Sequence, residues 1–308
     1  MGYLKNIIKK YSVFHKNSEV DILIFSAPRS GSTWLFELIA GNSKGKNISE
    51  PFDLRNSQVS KNLNTTDWKY LIDQSNKKTI SSYLRNLSKG HLSFKNPPPF
   101  SKYYKSIVNF SVIKMLHGGE TMVKELKEAL NAKTAYLVRH PIPVSLSRKE
   151  LPRLKSFIEF EPFKLTSKQK EFALNIFNSG SHFEKAVLDW CFQNKLALDS
   201  HDLYDIKITY EDLVLNPLPI IKEMESKALI NNVEAVYSKL STPSVNSYKS
   251  NNERKEILER KDNNQEKLVT SWLDKVDDNK IRKTQEILDA FEIEAYKANS
   301  PYPVILSK

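Results

Sequence analysis

The stretch Pro28-Arg29-Ser30-Gly31-Ser32-Thr33-Trp34 is small and rich in hydroxyls, with one cation and one glycine. It follows four consecutive large apolar residues, Ile22 to Phe25, the pattern of a strand covered on both faces in a parallel sheet. Beyond it, Trp34, Leu35, Leu38 and Ile39 recur at helical spacing, which predicts a helix pressed onto that sheet. A turn between strand and helix aims backbone N–H groups and the positive end of the helix dipole at one point, and that point suits a phosphate. The GxxxxGKS/T pattern of nucleoside triphosphatases is absent. Arg29 precedes the glycine, and no lysine stands where it could reach β- and γ-phosphates, which argues against ordinary ATP or GTP chemistry.

Further polar residues stand where apolar runs end. Arg139 closes Tyr136-Leu137-Val138, and Ser147 follows eight residues later, inside a helix whose first turn Pro141 and Pro143 mark. A guanidinium can meet two phosphate oxygens through parallel charge-assisted bonds, and Ser147 adds a hydroxyl. Lys114 ends the apolar run that starts at Val112, where a lysine makes poor core. Ile206 to Tyr210 reads as a strand, with Glu211 and Asp212 capping the helix after it. Two side chains are candidate proton acceptors: Glu50 in Ser49-Glu50-Pro51, just past the first helix, and His117 in Leu116-His117-Gly118. An unperturbed histidine titrates close to neutrality, as a general base should.

The phosphate-loop stretch, the Arg139/Ser147 pair and Thr209-Tyr210-Glu211-Asp212-Leu213, in this order over roughly residues 20 to 215, resemble the superfamily of sulfotransferases that use 3′-phosphoadenosine 5′-phosphosulfate (PAPS). The pattern is closest to bacterial carbohydrate-type and tyrosylprotein-type sulfotransferases. The resemblance implies that Arg29, Ser30, Gly31, Ser32, Thr33 and Trp34 hold the 5′-phosphosulfate, that Arg139 and Ser147 grip the 3′-phosphate, and that Tyr210 lies near the adenine. Lys114 and Arg29 would stabilise charge on the departing sulfuryl group, with Lys95 a lesser alternative. Ser247, Arg260 and Lys261 would belong to a C-terminal loop that closes over the 3′-phosphate. Relatives of the carbohydrate and tyrosylprotein types place a glutamate near Glu50, which favours it as the base. Cytosolic sulfotransferases place a histidine two residues after the lysine. Here His117 comes three residues after Lys114, and a one-residue shift on a strand reverses the face, yet His117 stays open as the alternative.

The implied reaction moves a sulfuryl group from PAPS to a hydroxyl of a carbohydrate or other small molecule, leaving adenosine 3′,5′-bisphosphate and requiring no metal. Two other classes compete: a P-loop-type nucleotide-dependent kinase, and a non-enzymatic module that binds a nucleotide or polyanion.

The elements that must position these residues are four strands, Ile22–Phe25, Val112–Leu116, Ala135–Val138 and Ile206–Tyr210, alternating with helical patterns. Such alternation predicts an α/β fold, a P-loop-like parallel sheet flanked by helices on both faces. Ligands bind such sheets beyond the carboxyl ends of the strands. No internal repeat or low-complexity linker divides the 308 residues, so one domain over 1–308 is expected. Residues 55–110 and 151–178 are the expected helical lid and acceptor-site insertions, and 240–308 a C-terminal loop and helices.

A net charge of +11 points to an anionic partner. The lysines are scattered and no nucleic-acid-binding motif accompanies them, so a small polyanionic cofactor is favoured over nucleic acid. One cysteine, Cys191, excludes an intrachain disulfide and falls on an apolar helical stripe with Val187 and Trp190. The histidines show no metal-ligand spacing. Residues 1–10 hold no apolar run long enough for a signal peptide or membrane span, and a cytoplasmic location is the expectation.

Overall fold

The computed structural model describes residues 13–41, 43–92, 104–240 and 265–304. In its first half lie β1 (Phe14–His15), β2 (Asp21–Ser26), α1 (Ser32–Ala40), β3 (Gly45–Ser49), α2 (Ser57–Leu63), α3 (Lys77–Ser88), β4 (Ile107–Val108), β5 (Phe110–Met115), α4 (Val123–Leu130) and β6 (Ala132–Val138). After these come α5 (Pro141–Leu146), α6 (Leu154–Phe160), α7 (Ser167–Ser179), α8 (His182–Asp199), β7 (Ile206–Thr209), α9 (Tyr210–Leu215), α10 (Pro217–Ser226), α11 (Val233–Tyr237), α12 (Gln265–Thr270) and α13 (Asp278–Ala290).

Five strands pair in the order β3-β5-β2-β6-β7, all parallel. Strand β2 is central, so the chain leaves it for β3 on one side and later reaches β6 on the other. That change of direction opens a crevice at the carboxyl ends, the usual ligand site of such sheets. Side chains alternate across the sheet. Ile22 and Ile24 of β2 meet Leu35, Phe36 and Ile39 of α1, while Leu23 and Phe25 join a second core with Leu84, Leu126, Trp190 and Leu288. Burying each such side chain contributes roughly 1.5–3 kcal/mol, whereas an exposed ion pair contributes about 0–1 kcal/mol. The two apolar layers therefore hold the sheet. Cys191 is part of the second layer, as its stripe predicts.

The four expected strands are present with shifted ends, and a fifth, β3, escaped the sequence pattern. Among its residues Ile48 is the one large apolar side chain, and Gly45 and Lys46 are buried beside it. A Cβ on Gly45 would lie 2.8 Å from Phe110 Cε2, so glycine permits the close pairing with β5. Lys46 reaches the carbonyl of Leu87 at 3.1 Å, and burial pushes its ammonium pKa down to about 8. An edge strand carrying a charged residue is common, but it lacks the apolar run that marks a central strand.

Residues 55–92 form α2, two single 3₁₀ turns at Trp68–Leu71 and Gln74–Asn76, and α3. Asn56, Asp67 and Asp73 each accept a backbone N–H at the start of one of these elements, the usual role of such residues at a helix start. The expected insertion at 151–178 holds α6 and most of α7. Among the described residues no helix is long and apolar enough to cross a membrane.

Candidate active site

The loop after β2 has the backbone its residues suggested. Arg29 has φ 75° and Gly31 φ 87°, and Trp34 and Leu35 donate to the Gly31 carbonyl at 3.0 and 3.3 Å to start α1. No side chain caps this helix at Gly31. The Ser30 side chain is buried and its Oγ has no hydrogen-bond partner. Arg29 is exposed. An uncapped helix N-terminus, an orphaned hydroxyl and a cation beside it fit an anionic group.

Tyr210 joins this loop to Arg139. Its ring lies directly on Gly31, where a Cβ would be 2.6 Å from Cδ2. The ring meets Trp34 edge-on at 6.1 Å, and the Arg139 guanidinium stacks over it at 4.2 Å. Arg139 Nη2 is 3.5 Å from the Leu268 carbonyl on α12, and the Arg139 carbonyl accepts from Trp190 Nε1 at 3.0 Å. Ser147 lies one residue beyond α5 rather than inside it, because the helix ends at Leu146. Its Oγ donates to the Val144 carbonyl at 2.8 Å.

Strand β7 stops at Thr209, so Tyr210 opens α9 instead of ending the strand. The expected capping by Glu211 and Asp212 is also corrected. Thr209 is the cap, its Oγ1 accepting from Asp212 N at 3.1 Å and donating to Asp212 Oδ2 at 2.6 Å. Glu211 turns inward, accepting from His140 N and from the Tyr296 hydroxyl, both at 2.9 Å. Burial pushes its carboxyl above the ordinary value. His140 stacks on Trp272 with ring centroids 4.5 Å apart. The C-terminal elements are thereby fastened beside Arg139.

The catalytic candidates meet at the ends of β3 and β5. Ser49 is the register partner of Lys114, so the residue after β3, Glu50, lands beside it. Lys114 is 2 % exposed, and its Nζ is 3.0 Å from Thr33 Oγ1 and 3.0 Å from Glu50 Oε1. It thus links the loop to the carboxylate. Glu50 has φ 60°, an uncommon backbone for a non-glycine residue and one found at functional sites. The His117 ring and the Lys114 ammonium hold its carboxyl down to about 2, against the upward push of burial. His117 Nε2 is 3.7 Å from Glu50 Oε2, and burial pushes its imidazole below the ordinary value. The structure therefore brings both base candidates into one cluster with Lys114.

Sequence reasoning missed the rim of this cluster. Arg55 Nε donates to Asp53 Oδ1 and Nη1 to Glu150 Oε2, each at 2.8 Å, and Nη2 is 3.2 Å from His117 Nε2. Trp68 lies beside His117 with centroids 5.9 Å apart. Glu150 is 95 residues from Arg55, and no local pattern signals such a pair. Ligand atoms of Glu50, Asp53 and His117 lie within 4.8 Å of one another, but Lys114 and Arg55 already place two cations against this group. Ser247, Arg260, Lys261 and Lys95 lie outside the described residues.

A family model described as "Sulfotransferase domain" matches residues 19–299. Two solved structures are similar. The "Sulfotransferase Domain from the Synechococcus PCC 7002 Olefin Synthase" is 17 % identical, covering 91 % of this chain and 97 % of its own, with a TM-score of 0.43. The "Sulfotransferase Domain from the Curacin Biosynthetic Pathway" is 18 % identical, covering 70 % and 76 %, with a TM-score of 0.36. No curated protein matched the sequence.

Proposed function

We infer the function from one premise: this chain belongs to the sulfotransferase domain family. It is a sulfotransferase, and we propose that it moves the sulfuryl group of PAPS to a hydroxyl of a carbohydrate or other small acceptor. The observation that carries this reading is the chain of contacts from Thr33 through Lys114 to Glu50, which places a cation between an anion-binding loop and a carboxylate.

In this reading the donor supplies the sulfuryl group, and the chain binds, orients and moves the proton. The N-terminus of α1 with Arg29, Ser30, Gly31, Ser32 and Thr33 holds the 5′ end of the donor. Arg139 and Ser147 hold the 3′-phosphate, with Tyr210 keeping the guanidinium in place and Trp34 beside it. Lys114 sets positive charge where the donor's bridging oxygen gains negative charge, and preorganised charge of this kind is usually the largest catalytic effect in a site. Glu50 takes the acceptor's proton. Sulfuryl transfer should resemble the loose transfer of phosphoryl groups, so the hydroxyl becomes strongly acidic only as its bond to sulfur forms. A carboxylate held near 2 can accept a proton that late. The balance is acceptor hydroxyl plus PAPS giving sulfate ester, adenosine 3′,5′-bisphosphate and one proton.

Trp68 and the polar groups of Asp53, Arg55 and Glu150 border Glu50 and His117, and an aromatic face among hydrogen-bonding groups suits a sugar ring. The lone, buried Cys191 is compatible with a reducing, cytoplasmic location.

The test is thermal stability with adenosine 3′,5′-bisphosphate, AMP, or ATP with Mg²⁺. A ligand at 100 times its Kd adds about 2.7 kcal/mol. Selective stabilisation by the bisphosphate supports the donor site. Stabilisation by ATP with Mg²⁺ alone would turn the reading to a kinase.

A further inference from the structure

Arg55 decides what His117 can do. Its guanidinium carries five N–H donors and no acceptor, and it does not deprotonate. Four of the five donors have partners here: Nε donates to Asp53 Oδ1 at 2.8 Å, Nη2 to Asp53 Oδ2 at 3.2 Å, Nη1 to Glu150 Oε2 at 2.8 Å, and Nη2 also faces His117 Nε2 at 3.2 Å. Two donors cannot point at each other, so the atom facing Nη2 must carry a lone pair. The competing partner of His117 Nε2, Glu50 Oε2 at 3.7 Å, is beyond the range of a good hydrogen bond; with Nε2 bare the imidazole no longer helps hold the Glu50 carboxyl down, and that work falls to the Lys114 ammonium. The backbone reinforces the grip on Arg55, whose own N–H donates to Asp53 Oδ1 at 3.2 Å.

We propose that Arg55 is a positioning residue that fixes His117 as the neutral imidazole with its hydrogen on Nδ1, closing the Nε2 lone pair to the acceptor and leaving proton abstraction to Glu50. The second half of this proposal rests on the sulfotransferase reading above; the assignment of the hydrogen does not. Charged and aromatic groups surround His117 on several elements: Glu50 after β3, Asp53 and Arg55 before α2, Trp68, Arg153 before α6, and Asp189 on α8. Among them, Arg55 is the donor within hydrogen-bond distance of Nε2. Glu150 extends the device, because it tethers Arg55 to the segment that follows Ser147, so the histidine's state is tied to the segment proposed to hold the donor's 3′-phosphate.

The experiment is nitrogen NMR of the full chain labelled with ¹⁵N-histidine, His117 being assigned by the signal lost in His117→Gln. Protonated and bare ring nitrogens resonate far apart, so the spectrum reads the tautomer without any acceptor or donor. The wild type should show His117 with Nδ1 protonated and Nε2 bare at neutral pH. Arg55→Met, which removes the donor, should move the hydrogen toward Nε2, and Arg55→Lys, which can still donate, should restore part of the wild-type signal. A wild-type His117 with its hydrogen on Nε2 overturns the proposal. An unchanged spectrum in folded Arg55→Met overturns it as well. If Arg55→Met fails to fold, the wild-type and Arg55→Lys spectra still decide. The bisphosphate stability test is separate, so loss of the donor reading and loss of this proposal give different results.

Discussion

Glu50 and Lys114 are joined twice. The Glu50 backbone N–H donates to the Lys114 carbonyl at 2.9 Å, and the Glu50 carboxylate meets the Lys114 ammonium at 3.0 Å. The first contact continues the β3–β5 ladder by one residue; the second crosses the mouth of the crevice. A left-handed backbone at Glu50 (φ 60°) turns the side chain back toward the lysine.

From this relationship, Glu50→Gln should keep affinity for adenosine 3′,5′-bisphosphate, because Lys114 retains Thr33. It should lower kcat and kcat/KM together by about 10²–10⁴-fold. His117→Gln, whose carbonyl can still accept from Arg55, should lose at least about tenfold less activity than that. Steady-state kinetics of the two variants with one acceptor check this, and the reverse order would make His117 the base.

Lys114→Met should lower kcat by about 10²–10³-fold, the usual loss when one preorganised charge is removed. Binding of the bisphosphate product, which lacks the sulfuryl group, should change much less. Calorimetric titration beside kinetics separates the two effects, and an equal loss in both would make Lys114 a binding group.

Gly31→Ala should disturb the loop in two ways. A left-handed φ of 87° costs a non-glycine residue roughly 1–2 kcal/mol, and the new methyl would press on the Tyr210 ring at 2.6 Å. Displacing that ring removes the platform under Arg139, so bisphosphate affinity should fall together with stability. Urea unfolding and calorimetric titration of the variant test both; unchanged affinity would detach Tyr210 from donor binding.

Acid should weaken the fold through His140. Burial lowers its imidazole from 6.5 to about 3. As pH falls the unfolded chain takes up this proton first, so the contribution is complete above about 6.5 and lost progressively between 6.5 and 3. One such group gives at most about 1.4 kcal/mol per pH unit. His140→Asn keeps a side-chain acceptor for the Ile142 N–H that His140 now caps at 3.2 Å but cannot titrate. The stability gap between wild type and variant should therefore shrink across that window in urea titrations, while His15, lowered to about 4, cancels in the difference.

Asp189→Ala should be strongly destabilising. Asp189 is fully buried, its Oδ2 meeting Arg148 Nη2 at 2.8 Å and Gln193 Nε2 at 2.5 Å. Removing the carboxylate leaves the buried Arg148 without its counter-charge, a change that typically costs about 3–5 kcal/mol. A loss below 1 kcal/mol in urea unfolding would show that water reaches the guanidinium.

Strands β2, β5 and β6 were legible because they lie inside the sheet and carry apolar runs such as Ile22–Phe25, and the edge strand β7 was legible from its buried Ile206 and Ile208. Strand β3, at the opposite edge, was not, since Gly45, Lys46 and Asn47 leave Ile48 as its one large apolar residue. The end of β7 was misplaced by one residue: Tyr210 is apolar enough to continue the run, but the Thr209 cap hands it to α9. Ser147 fell outside its helix for a similar reason, the chain leaving α5 at Leu146 to carry Arg148 into the core toward Asp189.

By itself the sequence determined the turn at Arg29–Thr33 between a buried strand and a helix, the strand carrying Lys114, the strand that ends just before Arg139, and membership in a sulfotransferase pattern. These are local facts, set by residue type and by the periods of strand and helix. What Glu50, His117 and Arg55 do together was decided by tertiary structure alone. Glu50 reaches Lys114 through the register of β3 on β5, and Arg55 meets Glu150 and His117 across 95 and 62 residues. Hydrogen bonds and ion pairs act over a few ångströms whatever the sequence separation, so which cation faces which base is fixed only when the sheet has brought the loops together.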